Sequence, residues 1–214
     1  PAFAWDKNGR LYFSWLYITQ ASASDTAYCT LNWAYSDDAG HTWNVKPNHF
    51  VSEGAFRPST LHAINYKGGP TDREWLAVDN SGGPRQGHVY CSFSFYGDGA
   101  NLDSTTYEGV QVLVPGIDTF GPKHPAYYGN GQYGNVEVDK NGILHLGFTD
   151  LDSNDIRHTS SSDGGLTFAP VRVVGKSTRV APHDSFIVQN RENAATSLAC
   201  DGAAGTGNNL YMVW

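Results

Sequence analysis

Two arginine–glutamate dipeptides, Arg73-Glu74 and Arg191-Glu192, are the residues of this sequence best suited to chemistry. A guanidinium can bind a carboxylate through two parallel hydrogen bonds, and a glutamate can donate or accept a proton. Each dipeptide comes shortly before a short apolar run that predicts a strand. The arginines are therefore candidates for substrate binding and the glutamates for catalysis. The alternative for both is an exposed ion pair that contributes little.

Further candidates lie in polar segments that also carry tyrosines. Asp25 and Asp98 fall in "YITQASASDTAYC" (17–29) and "YGDGANLDSTTY" (96–107), which are predicted loops. Either acid could act as a proton donor or acceptor in catalysis. Arg57, in the phrase "AFRPST", is a third candidate for substrate binding.

The segment "DLDSND" (150–155) predicts a candidate metal site. Asp150, Asp152 and Asp155 offer carboxylate oxygens that suit a hard cation such as calcium. The segment lacks the glycine and the distal glutamate of a calcium-binding loop, so a polar hairpin loop is the alternative. Calcium is the one cofactor that the sequence suggests, because the eight histidines are scattered without the paired spacing of a zinc site.

The composition favours an all-β chain. Charged residues make up 16% and aromatic residues 13% of the 214 residues, and there are 24 glycines, which is typical of many short strands joined by tight turns. The net charge of −7 argues against nucleic acid as a partner, because a phosphate-binding surface needs clustered lysine and arginine. The sequence has no run of 18 apolar residues, so no membrane span is predicted.

The three cysteines leave two interpretations open. Cys29, Cys91 and Cys200 are buried thiols on strands, or two of them form a disulfide and the third is free.

An internal repeat must position all of these candidates. Four segments share an apolar run, an aspartate, a glycine- or asparagine-rich turn and a second apolar strand. Their aspartates are Asp6, Asp79, Asp139 and Asp201, which lie 73, 60 and 62 residues apart. The second strands are apolar at the first, third and fifth positions and partly apolar between them, as expected for sheets that pack on both faces. Such units are the blades of a β-propeller.

The repeat predicts a single partial β-propeller domain of four-stranded antiparallel blades over 1–214. We expect three blades, at about 1–60, 72–125 and 133–180, and the first strands of a fourth at about 195–214. The parent ring would hold six or more blades. Because the chain starts at Pro1 and ends within an apolar run, we expect the ring to be completed by the remainder of a longer chain or by a second copy.

An eight-residue pattern occurs twice, as "SDDAGHTW" (36–43) and "SSDGGLTF" (161–168), each between a third and a fourth strand. The aspartates can accept backbone N–H groups within the turn, and the glycines allow a positive φ. The terminal aromatic residues are predicted to fill the seam between blades. The residues of the pattern are Ser36, Asp38, Gly40, Thr42, Trp43, Ser161, Asp163, Gly165, Thr167 and Phe168.

This pattern resembles the Asp-box, or bacterial neuraminidase repeat, of the sialidase superfamily. The resemblance covers essentially the whole chain and implies a propeller whose Asp-boxes lie on the face opposite the substrate pocket, so Asp38 and Asp163 are structural. It also implies, for a sialidase, three arginines that clamp a carboxylate, an aspartate acid/base and a tyrosine nucleophile activated by a glutamate. The chain lacks the "RIP"-type phrase that normally carries the first of those arginines.

Two functions follow from the resemblance. One is an exo-acting glycoside hydrolase of the sialidase type. The other is a non-catalytic propeller that binds glycan or protein through its loop-rich face. In either case the resemblance implies a glycan or glycoconjugate partner and an extracellular or periplasmic location.

Overall fold

The computed structural model of the chain describes residues 1–20, 25–45, 51–57, 71–97, 106–177, 195–201 and 208–214. These residues form strands and turns, and none of them lies in a helix. The predicted all-β class is therefore confirmed. Within the same ranges, no helix is long and apolar enough to cross a membrane.

Four antiparallel sheets follow one another along the chain and form the predicted blades. Blade 1 contains β1 (Ala2–Trp5), β2 (Leu11–Gln20), β3 (Ala27–Ser36), β4 (Asn44–Val45) and β5 (Ser52–Phe56). Blade 2 contains β6 (Thr71–Val78), β7 (Val89–Phe95), β8 (Tyr107–Leu113) and β9 (His124–Tyr128). Blade 3 contains β10 (Gly131–Val138), β11 (Leu144–Asp150), β12 (Asp155–Ser161) and β13 (Arg172–Lys176). The half-blade 4 contains β14 (Ser197–Cys200) and β15 (Leu210–Val213).

Blades 2 and 3 each have four strands that pair in chain order. In blade 1 the outer position is divided, because β4 pairs with the last residues of β3 and β5 pairs with its first half.

The repeated aspartates close the turn between the first and second strands of each blade. The side chains of Asp6, Asp79 and Asp139 each accept the backbone N–H of the residue two positions later, at 2.8–2.9 Å. This is the hydrogen bond of an Asx turn, which explains why the repeat keeps an aspartate at this position.

The core lies between the sheets, because each internal sheet is packed on both faces. On β7, Cys91 and Phe93 belong to the cluster shared with blade 1, whereas Tyr90 belongs to the cluster shared with blade 3. Successive side chains of a strand point to opposite faces, so a strand between two neighbours must be apolar on both. All seven residues of β7 are buried accordingly.

The two octapeptide turns have nearly the same hydrogen bonds. Ser36 Oγ donates to Asp38 Oδ1 at 2.7 Å, and the backbone N–H of Thr42 donates to the same oxygen at 2.8 Å. Ser161, Asp163 and Thr167 repeat these contacts at 2.7 and 3.0 Å. Both fifth-position glycines have the predicted positive φ, 89° in blade 1 and 85° in blade 3.

The aromatic residues that end the two turns differ in their surroundings. Phe168 packs against the apolar cluster between blades 2 and 3, as predicted for a residue in the seam. Trp43 instead remains 37% exposed and contacts the rings of Phe3 and Phe13 on its own blade. The difference arises because, among the described residues, no sheet packs on this face of blade 1.

The same face of blade 1 carries further apolar residues that internal blades bury. Phe3 and Trp5 of β1 are 56% and 49% exposed, whereas the equivalent Leu76 and Val78 of β6 are 4% and 7% exposed. At the other end of the sheets, Tyr211 and Val213 of β15 are also exposed. Both terminal faces therefore have the composition of blade-to-blade interfaces.

Cys29 and Cys91 are buried and Cys200 is half-buried, and all three are free thiols. This agrees with the first of the two interpretations of the cysteines. Burial raises the pKa of Cys29 and Cys91, so these thiols are held in the unreactive protonated form.

We expect Asp163→Ala to lower the melting temperature at neutral pH. Hydrogen bonds from Thr167 and Ser161 hold the pKa of Asp163 well below its ordinary value. A lowered pKa stabilises the fold above the unfolded value of about 3.9, and this stabilisation is lost as the pH falls through the folded value. Thermal unfolding followed by circular dichroism should show the difference from wild type shrinking below about pH 4. Ser162→Ala, a neighbouring exposed residue, is the control and should melt like wild type at every pH.

The molar mass of the 214-residue chain tests how the terminal faces are covered. Light scattering behind a sizing column distinguishes a monomer of 23.3 kDa from a pair of copies. A mass of twice that value, lost in a Phe3→Asp variant, would support closure by a second copy. A monomer that binds an apolar dye through the exposed face of blade 1 would instead contradict closure by a second copy.

Candidate functional site

A cavity of about 720 Å³ lies where the first strands of the blades come together. It is lined by Pro1, Glu74, Gly134 and Thr196, each of which stands five residues before the repeated aspartate of its own blade. Four equivalent positions therefore meet at one cavity, which lies on the axis around which the blades are arranged. We call it the axis pocket.

Two of the first strands carry the same irregularity beside the axis pocket. In β6, Arg73 and Glu74 together oppose a single residue of β7, and in β10, Tyr133 and Gly134 oppose a single residue of β11. These are β-bulges, which redirect side chains and are common next to active sites. Arg73 and Tyr133 have φ values of 61° and 60°, a conformation that non-glycine residues seldom adopt. The bulges hold both side chains against the axis pocket at a cost in backbone strain.

Arg73 is held in place without using its full capacity for hydrogen bonds. Its guanidinium lies 4.6 Å from the centre of the Tyr133 ring, and its Nε lies 3.6 Å from Asp72 Oδ2. Within the described part of the chain, this buried Nε has no hydrogen-bond partner. The guanidinium is thus oriented by stacking and by a loose ion pair, and it can still donate to oxygens of a ligand.

Acidic and aromatic groups complete the lining of the axis pocket. Glu74 is 6% exposed, and its Oε1 lies 3.1 Å from the nitrogen of Pro1. Trp75 follows it on β6 and is 42% exposed, and Trp15 on β2 lines the same cavity. The lining therefore combines carboxylates, a guanidinium and flat apolar surfaces.

A buried carboxyl behind the pocket wall was missed by the sequence analysis. Glu108 on β8 is fully buried, and its Oε2 accepts a hydrogen bond from Ser94 Oγ at 2.8 Å. Burial raises the pKa of Glu108 to about 8, with Asp72 adding to the rise. The sequence did contain a signal, because Glu108 is the single charged residue of the mostly apolar strand "YEGVQVL".

Two other predicted site residues, Asp25 and Arg57, do not line the axis pocket. Both are exposed; Asp25 lies just before β3 and Arg57 directly after β5. Asp98, Arg191 and Glu192 lie outside the described residues. In the repeat, the blade 4 residues equivalent to Arg73-Glu74 are Ala195-Thr196. The role of Arg191-Glu192 stays a prediction.

The three aspartates of the candidate calcium site belong to a network that already contains a cation. Asp150 Oδ2 accepts hydrogen bonds from Tyr127 at 2.9 Å and lies 2.8 Å from Arg157 Nη2. Asp155 also contacts Arg157, at 3.3 Å, and Asp152 accepts a hydrogen bond from Asn130. Among the residues that the structure describes, no three histidine, cysteine or acidic side chains are grouped to hold a metal ion. The calcium site therefore stays a prediction, and in the structure Arg157 places a positive charge beside Asp150.

Several solved structures share this arrangement of blades. The Hadza microbial sialidase Hz136 matches with a TM-score of 0.51 and 15% identity, over 83% of this chain and 33% of its own. A polysaccharide lyase of family PL25, an ulvan lyase, matches with a TM-score of 0.50 and 19% identity, over 99% of this chain and 44% of its own. A Dyadobacter fermentans protein of unknown function matches with a TM-score of 0.50 and 13% identity, over 81% of this chain and 50% of its own. The chain has a sialidase-like β-propeller fold.

The similarity of the chain to these structures concerns the fold alone. No protein-family profile and no curated protein sequence matches the chain. The chain spans between a third and a half of the length of the three structures named above. The predicted partial propeller is thus confirmed as a fold, while its activity is a separate question.

We expect calcium to bind beside Asp150 only when Arg157 is replaced. The guanidinium neutralises the carboxylates, so about 1 mM calcium in place of EDTA should leave the melting temperature of the wild type unchanged. Arg157→Gln removes that charge and should lower the melting temperature. Calcium should then restore part of the lost melting temperature of this variant. Arg172→Gln, on the neighbouring strand β13, is the control. Calcium stabilisation of the wild type would instead support the predicted calcium site.

Proposed function

We propose that the chain is part of a glycan-acting β-propeller and that the axis pocket binds a saccharide. The observation that carries the proposal is the meeting of four equivalent blade positions at one cavity lined by carboxylates, a guanidinium and two tryptophans, of which Trp75 is exposed. Sugar rings have apolar faces that stack on aromatic side chains, and their hydroxyls pair with carboxylate and guanidinium groups. Binding sites also concentrate where several loops or strand ends converge on a concave surface.

For catalysis, we propose that the pocket works as an exo-acting glycoside hydrolase. Glu74 would exchange the proton with the glycosidic oxygen, and Arg73 would orient the sugar. Glycoside hydrolysis normally needs a second carboxyl on the other side of the bond. Asp72 is the second acid of the pocket lining.

The alternative is a propeller that binds glycan or protein without cleaving it. It is favoured by one observation, namely that Asp72 and Glu74 flank Arg73 on the same strand. A sugar in the pocket would then meet both acids from one side, whereas hydrolysis needs carboxyl groups that flank the scissile bond.

The partners and the location complete the proposal. A glycan or glycoconjugate is the partner, and the protein acts outside the cell or in the periplasm. The net charge of −7 speaks against nucleic acid. Sialidases and polysaccharide lyases, which share the fold, act on glycans, and this adds support to the proposal.

We expect Arg73→Ala to weaken saccharide binding about tenfold or more, because a hydrogen bond to a charged group contributes roughly 1.5–3 kcal/mol. A glycan array followed by calorimetry on the best ligand measures the effect. Arg172→Ala, on an outer strand, is the matched control and should bind like wild type. An array without any bound glycan would contradict the proposal.

Product analysis of the bound glycan separates the catalytic proposal from the alternative. If the chain hydrolyses the glycan, the wild type should release a monosaccharide. Glu74→Gln should release none but should still bind the glycan. Elimination would leave an unsaturated sugar, and binding without products would support the non-catalytic alternative.

A further inference from the structure

Glu108 belongs to a row of polar side chains that crosses the whole of blade 2. Asp72 on β6 pairs with Ser94 on β7, which pairs with Glu108 on β8, which pairs with Tyr127 on β9. Directly paired residues of antiparallel strands point to the same face. Tyr127 packs on Phe148 of blade 3, so the row lies in the interface between blades 2 and 3.

The carboxyl of Glu108 fills space that two glycines of blade 3 leave open. A Cβ at Gly134 would overlap Glu108 Oε1, and a Cβ at Gly131 would lie only 3.0 Å from Glu108 Cβ. Gly134 is the second residue of the Tyr133–Gly134 bulge and lines the axis pocket. The bulge is also fixed from the side of blade 2 by Ser92 Oγ, which donates to the carbonyl oxygen of Gly134 at 3.0 Å.

No positive charge compensates the carboxyl of Glu108 within the described ranges. Its Oε2 accepts from a neutral hydroxyl, and its buried Oε1 has no hydrogen-bond partner there. An ionised carboxylate in this place would be fully desolvated and unpaired, which is among the most costly arrangements in a protein interior. A protonated carboxyl avoids that cost, and the raised pKa of about 8 agrees with this form at neutral pH.

The charged and titratable groups around Glu108 do not change this conclusion. Asp72 on β6 adds negative charge, and Arg73 beside it is directed to Tyr133. The row also contains Tyr127, whose hydroxyl is committed to Asp150 of blade 3, which in turn pairs with Arg157. Tyr96 and Cys91 are further titratable groups near Glu108.

We propose that Glu108 is a positioning residue of the axis pocket: as a neutral, buried carboxyl it supports the Tyr133–Gly134 bulge from behind and so places Tyr133 against the ligand. Loss of its proton places an uncompensated charge directly behind Gly134 and loosens the bulge. The consequence for ligand binding rests on the proposed function, but the structural coupling between Glu108 and the Tyr133–Gly134 bulge does not. The wall of the axis pocket therefore changes with pH through a residue that no ligand touches.

The decisive experiment follows two groups of the wild-type chain by NMR as the pH is raised. The ¹³Cδ shift of Glu108, assigned by triple-resonance spectroscopy, reports its protonation directly. The ring signals of Tyr133, assigned with Tyr133→Phe, report the position of the bulge. We expect both to change together with one midpoint near pH 8, while Tyr211 of blade 4, far from the pocket, does not follow. A Glu108 midpoint near 4.3, the ordinary glutamate value, would overturn the proposal, as would Tyr133 signals that ignore the titration.

Glu108→Gln keeps the shape of the neutral carboxyl and removes the proton equilibrium. A raised pKa favours folding fully below the unfolded value and loses this contribution as the pH rises to the folded value. The variant should therefore melt like wild type near pH 4 and several degrees higher near pH 8, and its Tyr133 signals should no longer move. Ser162→Ala, an exposed residue of blade 3, is the control and should melt like wild type at both pH values. If Glu108→Gln melted at a lower temperature than wild type at pH 8, this would contradict the role of Glu108 as an uncharged carboxyl.

A double-mutant cycle tests the packing independently of pH. Gly134→Ala should destabilise the wild-type chain strongly, because its methyl group overlaps the Glu108 carboxyl. In the Glu108→Ala background the same change should cost much less, since the space is then free. Additive effects would show that Glu108 does not support the bulge. None of these measurements needs a ligand, so they stand even if the chain binds no glycan.

Discussion

The need to bury both faces of every sheet governs this structure. A two- to four-stranded sheet of this size has too little core to be stable alone, and each blade obtains one by packing between neighbours. The result is visible on β7, where successive side chains contribute alternately to the cores shared with blades 1 and 3. Where the neighbour is lacking among the described residues, as at Phe3, the same kind of side chain is exposed.

The axis pocket is a consequence of the same packing. First strands of successive blades lie side by side, so residues at one position of the repeat converge whatever their type. The residue type at this position differs between blades: it is Glu74 in one blade, Gly134 in the next and Thr196 in the half-blade. The repeat keeps the same residue types in its core but varies them beside the axis, which explains how one architecture can host different chemistry.

Much of the fold could be predicted from the sequence, because the features that determine it are local and repeated. The aspartates of the Asx turns, the two octapeptides and the alternation of the second strands each occur several times at matching positions. The site could be predicted only in part. Arg73 and Glu74 are recognisable by residue type, but the strained bulge that directs them to the axis depends on pairing with β7.

Residues whose role depends on tertiary contacts could not be identified from the sequence, for the same reason. Arg157 lies two residues after Asp155 in the sequence, yet only the pairing of β11 with β12 brings it to Asp150 and supplies the charge that a calcium ion would otherwise provide. Glu108 could be flagged as a charge within an apolar strand, but its meaning depends on Gly134, which lies 26 positions later and in another blade.

The polar row of blade 2 differs in kind from the other buried polar groups. Asp139 accepts two backbone N–H groups in its turn, and such contacts stabilise the charged form. Glu108 receives one neutral hydroxyl and is surrounded by apolar and acidic groups, which stabilise the uncharged form. Carboxyl groups of one fold are thus divided by their surroundings into structural anions and a neutral support. The neutral one lies at the interface that shapes the pocket, where an added charge would disturb the packing of two blades at once.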